Sequence, residues 1–164
     1  MRCGDGTTVP ADLAVVGIGI IANDDLAKAA GLAVLSIRAG LHVACEPGTR
    51  VPILDAVFAD IGDEQDLRSG LSTFSARMAN LAAIVEQADA RTLVIADEIG
   101  EGTEPGEGAA LAQAILEALV AKGSYVLATT HFNRLKELAA GDARFLNASA
   151  EFDFATLLPT FRIL

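Results

Sequence analysis

Two neighbouring carboxylates, Asp97 and Glu98, follow the compact apolar run Leu93-Val94-Ile95-Ala96. In a nucleotide hydrolase, the first acid of such a pair orients the water shell of a Mg²⁺ ion and the second aligns and polarises the attacking water. Two acids that merely cap a helix or face solvent at a strand end leave the same trace. Thr130 and His131 follow a second apolar run, Val126 to Thr129. A histidine there can donate to a terminal phosphoryl oxygen or to the attacking water while the backbone fixes its other nitrogen. An ordinary partly buried histidine fits equally. The third place is Asp60-Ile61-Gly62-Asp63-Glu64-Gln65, after the run that ends at Ala59. An acid or glutamine there can reach a metal-bound water, and a solvated loop is the plainer reading.

All three places matter only if strands present them at one edge, since parallel α/β sheets gather functional groups beyond the carboxyl ends of their strands. Periodicity predicts a strand over Leu13 to Ile21 and a helix capped by Asp24 or Asp25 that runs to about Arg38, with Gly40 ending it. A short strand at Leu41 to Ala44, a turn around Pro47 and Gly48, and a strand at Ile53 to Ala59 follow. Asp60 to Gly70 reads as a loop. Ser72 stands as an N-cap before Phe74, Met78, Leu81, Ile84 and Val85, which share one helical face up to about Ala88. Thr92 to Ala96 is a strand, and the Gly-rich segment Gly100 to Gly108 leads into a helix over Ala109 to Ala121. Val126 to Thr129 is a strand, Asn133 to Ala139 a helix, and Phe145 to Phe152 and Leu157 to Ile163 two final strands without assignable chemistry. The alternation predicts an α/β layered fold, with a mostly parallel central sheet flanked by helices and an antiparallel hairpin at the end.

The chain has 164 residues with no repeat or linker, which suits a single domain over 1–164. Its 52% hydrophobic content includes only 5% aromatic residues, so Ala, Leu, Val and Ile must supply the core. A formal net charge of −10 opposes any sequence-independent grip on a nucleic-acid backbone. Cys3 and Cys45 form no disulfide framework and suit a reducing compartment. The longest apolar run, Leu13 to Ala22, is shorter than the ~20 residues that a bilayer crossing needs. No membrane contact and a cytoplasmic location are the expectations.

Taken in order, Asp60-Ile61-Gly62-Asp63-Glu64-Gln65, Leu71-Ser72-Thr73-Phe74-Ser75, Asp97-Glu98-Ile99-Gly100-Glu101-Gly102-Thr103-Glu104-Pro105 and Ala128-Thr129-Thr130-His131-Phe132 resemble the ATPase domain of the MutS family. The likeness covers about residues 31–164 and is greatest to the bacterial branch that often carries a C-terminal Smr nuclease domain. It implies a P-loop NTPase-like fold of the ABC-ATPase type, ATP and Mg²⁺ as ligands, and a role in mismatch repair or control of recombination. It further implies that Asp97 acts on the metal and that Glu98 and His131 are catalytic. Asp60, Asp63 and Gln65 resemble the loop that couples nucleotide state to the rest of the protein. Ser72, Thr73, Phe74 and Ser75 resemble the signature segment that faces the nucleotide of the opposite subunit, where the helix start could offer its backbone N–H groups. Gly100, Gly102, Thr103 and Glu104 look like the D-loop at the interface of a homodimer.

One motif departs from the family pattern. Where a Gly-rich turn should end in Lys and Ser or Thr, the chain reads Gly17-Ile18-Gly19-Ile20-Ile21-Ala22-Asn23-Asp24-Asp25. The missing lysine removes the cation that bridges the β- and γ-phosphates, and Asp24 and Asp25 repel them. Impaired nucleotide binding is the expectation, with a non-catalytic dimerisation module or pseudo-ATPase relic as the alternative. The stretch from Val9-Pro10 to Gly31 looks shorter than its counterpart, which deletion or gradual substitution explains equally. A more remote reading takes Gly17-x-Gly19-x-x-Ala22, with Glu46 for a ribose hydroxyl, as a dinucleotide-binding fingerprint. Relative to the family the domain reads as truncated at both ends, so DNA contact and nuclease activity are expected to reside in regions outside it. An apolar surface around Leu81 or Leu116 is expected where a lever region would pack.

Overall fold

Short runs of β-branched and aliphatic residues, each separated from the next by a helix-length stretch, have the connections that parallel pairing requires, since a crossover of a dozen or more residues must carry the chain back between parallel strands. The computed structural model describes residues 13–17, 25–45, 48–61, 73–148, 150–153, 156 and 158–163. Its elements are β1 Leu13–Gly17, α1 Asp25–Arg38, β2 Ala56–Asp60, α2 Thr73–Gln87, β3 Thr92–Ala96, α3 Pro105–Ala121, β4 Tyr125–Thr130, α4 Asn133–Lys136, α5 Leu138–Gly141, β5 Phe145–Ala148, β6 Ala150–Asp153 and β7 Leu158–Ile163. The first five strands form one sheet in the order β2-β3-β4-β1-β5, and every neighbouring pair is parallel. The last two strands pair antiparallel as a separate ribbon, with an irregularity between Ala150 and Phe152.

Strand order decides which face each helix covers. The connection from β1 to β2 crosses the sheet in one direction and the later connections return in the other, so right-handed crossovers put α1 on one face and the remaining helices on the opposite face. Val34 of α1 packs with Leu93 and Ile95 of β3 on the first face. Val94 and Ala96, the alternate residues of the same strand, pack with Leu81 and Ile84 of α2 and Leu116 and Leu119 of α3 on the second. All five residues of β3 are buried. The acid pair therefore follows one of the most enclosed strands in the molecule.

Several boundaries differ from those read in the sequence. Leu41 to Ala44 is not a strand: Leu41 is exposed and these residues join no ladder, since β-propensity without a partner edge forms no strand. The strand expected from Ile53 begins at Ala56 and includes Asp60. Helix α3 begins at Pro105 rather than Ala109, because the Glu104 carboxylate accepts the Glu107 N–H at 3.0 Å and Pro105 is preset for the first turn. The helix expected over Asn133 to Ala139 divides into α4 and α5. Phe145 to Phe152 divides between the parallel sheet and the ribbon. Leu81 and Leu116 are fully buried, so they supply no open apolar surface; among the described residues the exposed large apolar ones are Leu32, Leu35, Ile37, Leu41, Ile53 and Leu111. Among the described residues no helix is long and apolar enough to cross a membrane.

Candidate functional site

At the carboxyl edge, backbone bonds carry the sheet one step past its last ladder residue. The Asp97 N–H donates to the Asp60 carbonyl at 2.9 Å, so the turn after β3 starts from a fixed point beside β2. Thr129 of β4 holds the turn from the other side. Its hydroxyl donates to Asp97 Oδ1 at 2.5 Å and accepts the Glu98 N–H at 2.7 Å, while its carbonyl accepts the Ile99 N–H at 3.1 Å. Glu98 has φ of 48°, the one positive value among the described non-glycine residues. A left-handed conformation costs an L-residue about 1–2 kcal/mol, and here the bonds to Thr129 stabilise it. Such strain accompanies functional sites when the surroundings over-determine it.

Helix α2 closes the site from above. Arg77 Nε donates to Asp60 Oδ2 at 2.7 Å, and its terminal nitrogen donates to the Asp97 carbonyl. Asn80 Nδ2 donates to Asp60 Oδ1 at 3.1 Å, so both oxygens of this buried carboxylate are engaged. The Glu98 carboxyl titrates near neutrality, pushed up to about 7. Its causes are a hydrogen bond with the Glu101 carboxyl, partial burial, and the negative charges of Glu101 and Asp97, against which the Arg77 cation acts. Crowded carboxylates of this kind are hard oxygen donors, suited to a Mg²⁺ ion that keeps most of its ligands as water and substrate oxygens. Asp97 and Glu98 are the side chains that could hold it. Among the described residues no cluster of three or more His, Cys, Asp or Glu stands ready to hold a metal ion.

His131 stands one residue beyond β4, exposed, with its ring centroid 4.4 Å from that of Phe132. Thr130 holds the turn below it by accepting the Phe132 N–H at 3.1 Å. Gly17 pairs with Thr130, so the carboxyl end of β1 lies beside that of β4. Connections from β1 and β4 leave to opposite faces, which makes the space between them the switch point of the sheet.

The Gly-rich segment is closed by its own ends. Gly100, at φ 86°, and Gly108 of α3 approach so closely that a Cβ on either would stand 2.4 or 2.2 Å from the other's carbonyl oxygen. Gly102 lies against Phe74, so this segment and the start of α2 form one surface. Thr103 and Glu104 serve the helix start: Thr103 Oγ1 meets Glu107 Oε2 at 3.3 Å, and the N–H groups of Gly106 and Glu107 hold the Glu104 carboxyl below its ordinary range.

The structure thus joins Asp60, Asp97 and Glu98 in one bonded cluster, sets His131 at the same edge, and places Phe74 against Gly102. Ser75 is exposed on α2. Gly19, Asn23, Asp24, Asp63, Gln65, Ser72 and Glu46 lie outside the described residues, as does the side chain of Thr73. Sequence reasoning missed Thr129, Arg77 and Asn80. For Arg77 a signal existed, since it is the sole charged residue of α2 before Glu86.

This is an α/β domain whose polar machinery sits at the carboxyl edge of a parallel sheet and is shared by β2, β3, β4 and α2. Residues 7–156 match the family model for MutS domain V. Over 137 residues, or 84% of this chain, it is 51% identical to Endonuclease MutS2 of Pelotomaculum thermopropionicum and to that of Caldicellulosiruptor bescii, covering 18% and 17% of those proteins. Endonuclease MutS2 of Lactiplantibacillus plantarum is 50% identical over the same span and is covered to 17%. The chain belongs to the MutS family, in its MutS2 branch. It spans less than a fifth of the length of these curated relatives.

Proposed function

We propose that this chain is the ATPase-type domain of a MutS2-like protein, with a P-loop NTPase-like layered fold and weakened nucleotide binding. The observation that carries the reading is the bond from Thr129 to Asp97, which locks the acid pair of β3 to the Thr-Thr-His segment of β4 in a single site. Asp97 would hold Mg²⁺, whose contribution when bound is neutralisation of phosphate charge. Glu98, with a carboxyl that titrates near neutrality, is suited to orient a water molecule and accept its proton. His131 offers a ring N–H to phosphoryl oxygen from the neighbouring strand.

Weakened binding follows from the segment after β1. Counted from Gly17, the positions of the second glycine, the lysine and the hydroxyl residue of a Gly-x-x-x-x-Gly-Lys-Ser/Thr loop fall on Ala22, Asn23 and Asp24, none of which can serve a phosphate in the same way. A homodimer would be built on the signature and D-loop surface, where Gly102 lies against Phe74. With its net charge of −10, the domain leaves DNA contact to other regions of a MutS2-type protein.

Calorimetric titration with a non-hydrolysable ATP analogue tests the reading. Binding by the unaltered chain should require Mg²⁺ and be weak. Joint replacement of Asn23→Lys and Asp24→Thr should tighten it at least about tenfold, because a hydrogen bond to a charged group contributes about 1.5–3 kcal/mol. Hydrolysis by the repaired chain should vanish with Glu98→Gln. Micromolar binding by the unaltered chain would refute the impairment. A folded, repaired chain that still binds nothing would make the domain a dimerisation module instead.

A further inference from the structure

Arg77 is an unusual residue for its position. It lies on the half-buried side of α2, between Phe74 and the fully buried Leu81, in a helix with no other charge before Glu86. A cation drawn into such surroundings requires partners. It has two of different kinds, the Asp60 carboxylate and the Asp97 carbonyl.

The second partner gives the contact its consequence. The Asp97 carbonyl and the Glu98 N–H belong to one peptide plane, which enters the residue with positive φ. Arg77 holds the carbonyl end of that plane from α2, and the Thr129 hydroxyl holds the N–H end from β4. Asp60 completes the clamp: its carbonyl fixes the Asp97 N–H, while its carboxylate, steadied by Asn80, fixes the guanidinium. Only a planar fork can serve a carboxylate and a carbonyl at once in fixed directions; an ammonium on a flexible stem cannot. The same helix opens at Thr73-Phe74-Ser75.

We propose that Arg77 is a positioning residue: its guanidinium sets the Asp97–Glu98 peptide in the orientation the acid pair needs to engage a divalent cation, and ties that peptide to the start of α2. This role rests on the reading of Asp97 and Glu98 as the metal site, and the test separates the two.

The test titrates Mn²⁺ alone, as a paramagnetic stand-in for Mg²⁺, into the isotopically labelled chain, and follows amide broadening and hydrogen exchange. Broadening should centre on Asp97, Glu98 and Ile99. Arg77→Lys should lower Mn²⁺ affinity about tenfold, the scale seen when an outer-shell partner of a metal ligand is lost. It should also speed exchange of the Glu98 and Ile99 amides, with the unfolding midpoint nearly unchanged. Charge alone predicts a different pattern: no effect of Arg77→Lys, and no effect of removing the ion pair as a whole. Because Arg77→Met leaves Asp60 buried and unpaired, the paired variant Asp60→Asn with Arg77→Met removes the guanidinium with no net change of charge, and the positioning role predicts weaker Mn²⁺ binding there. Wild-type or tighter affinity in Arg77→Lys or in the paired variant overturns the positioning role. Absence of broadening in the unaltered chain overturns the metal reading and with it the cation half of this proposal; unchanged amide exchange in Arg77→Lys overturns the clamp.

Discussion

Replacement of Gly108 by alanine sets local propensity against tertiary packing, and the two predict opposite signs. Gly108 is inside α3, where alanine is the better helix former by about 1 kcal/mol. Tertiary structure says otherwise, since the added Cβ would stand 2.2 Å from the Gly100 carbonyl oxygen and 3.3 Å from Phe132 Cζ. The nearest obstacle is backbone, so one segment must retreat by about 1 Å, and overpacking of that kind costs about 1–3 kcal/mol. Taking the upper part of that range for an unyielding backbone, the net effect is destabilisation by about 2 kcal/mol, or a midpoint lower by about 4–8 °C for a domain of this size. The assay is thermal and urea unfolding, with Gly141→Ala as control because nothing stands within 4 Å of its Cβ. Gly100→Ala should cost more, as φ of 86° adds about 1–2 kcal/mol of conformational strain. The two changes together should cost less than their sum, because the first already parts the segments. If Gly108→Ala raises the midpoint as Gly141→Ala does, the close approach of the two backbones is refuted.

Leu81→Ala should destabilise by about 2–5 kcal/mol, the range for emptying a buried leucine site, whereas Leu32→Ala, 64% exposed, should change stability by no more than about 0.5 kcal/mol. Equal effects in urea unfolding would refute the placement of the two faces. Asp89 accepts bonds from the Thr92 hydroxyl at 2.8 Å and the Arg91 N–H at 2.9 Å, which hold its carboxyl below the ordinary range. Its contribution is therefore complete above the unfolded carboxylate pKa and is lost as pH falls through the lower folded value. Asp89→Asn should show a shallower loss of stability between about pH 5 and pH 2 than the unaltered chain, and parallel curves would count against the bonds.

Most of the elements were legible because they depend on local pattern. Thr92–Ala96 has the boundaries its apolar run predicts, and α2 starts and ends within a residue of the expected limits. Leu41 to Ala44 has strand-like residues but no partner, and pairing is a property of the whole sheet. Phe145 to Phe152 reads as one strand, yet its halves join different sheets. The start of α3 is set by the Glu104 cap and Pro105, whose signal the surrounding glycines obscure in the linear sequence.

The site divides in the same way. Acid pair, Thr-Thr-His segment and the missing lysine are all visible in the linear chain, since each is a matter of residue type next to an apolar run. Arg77, Asn80 and Thr129 acquire their roles only when α2 and β4 are packed beside the turn after β3, and no spacing rule links residues that far apart in sequence. Sequence by itself determined which groups stand at the strand ends, because strand and helix periods are local. Tertiary structure alone decided which of those groups share hydrogen bonds, which leucines are covered and where two glycine backbones meet, because those outcomes depend on the order and handedness of the crossovers.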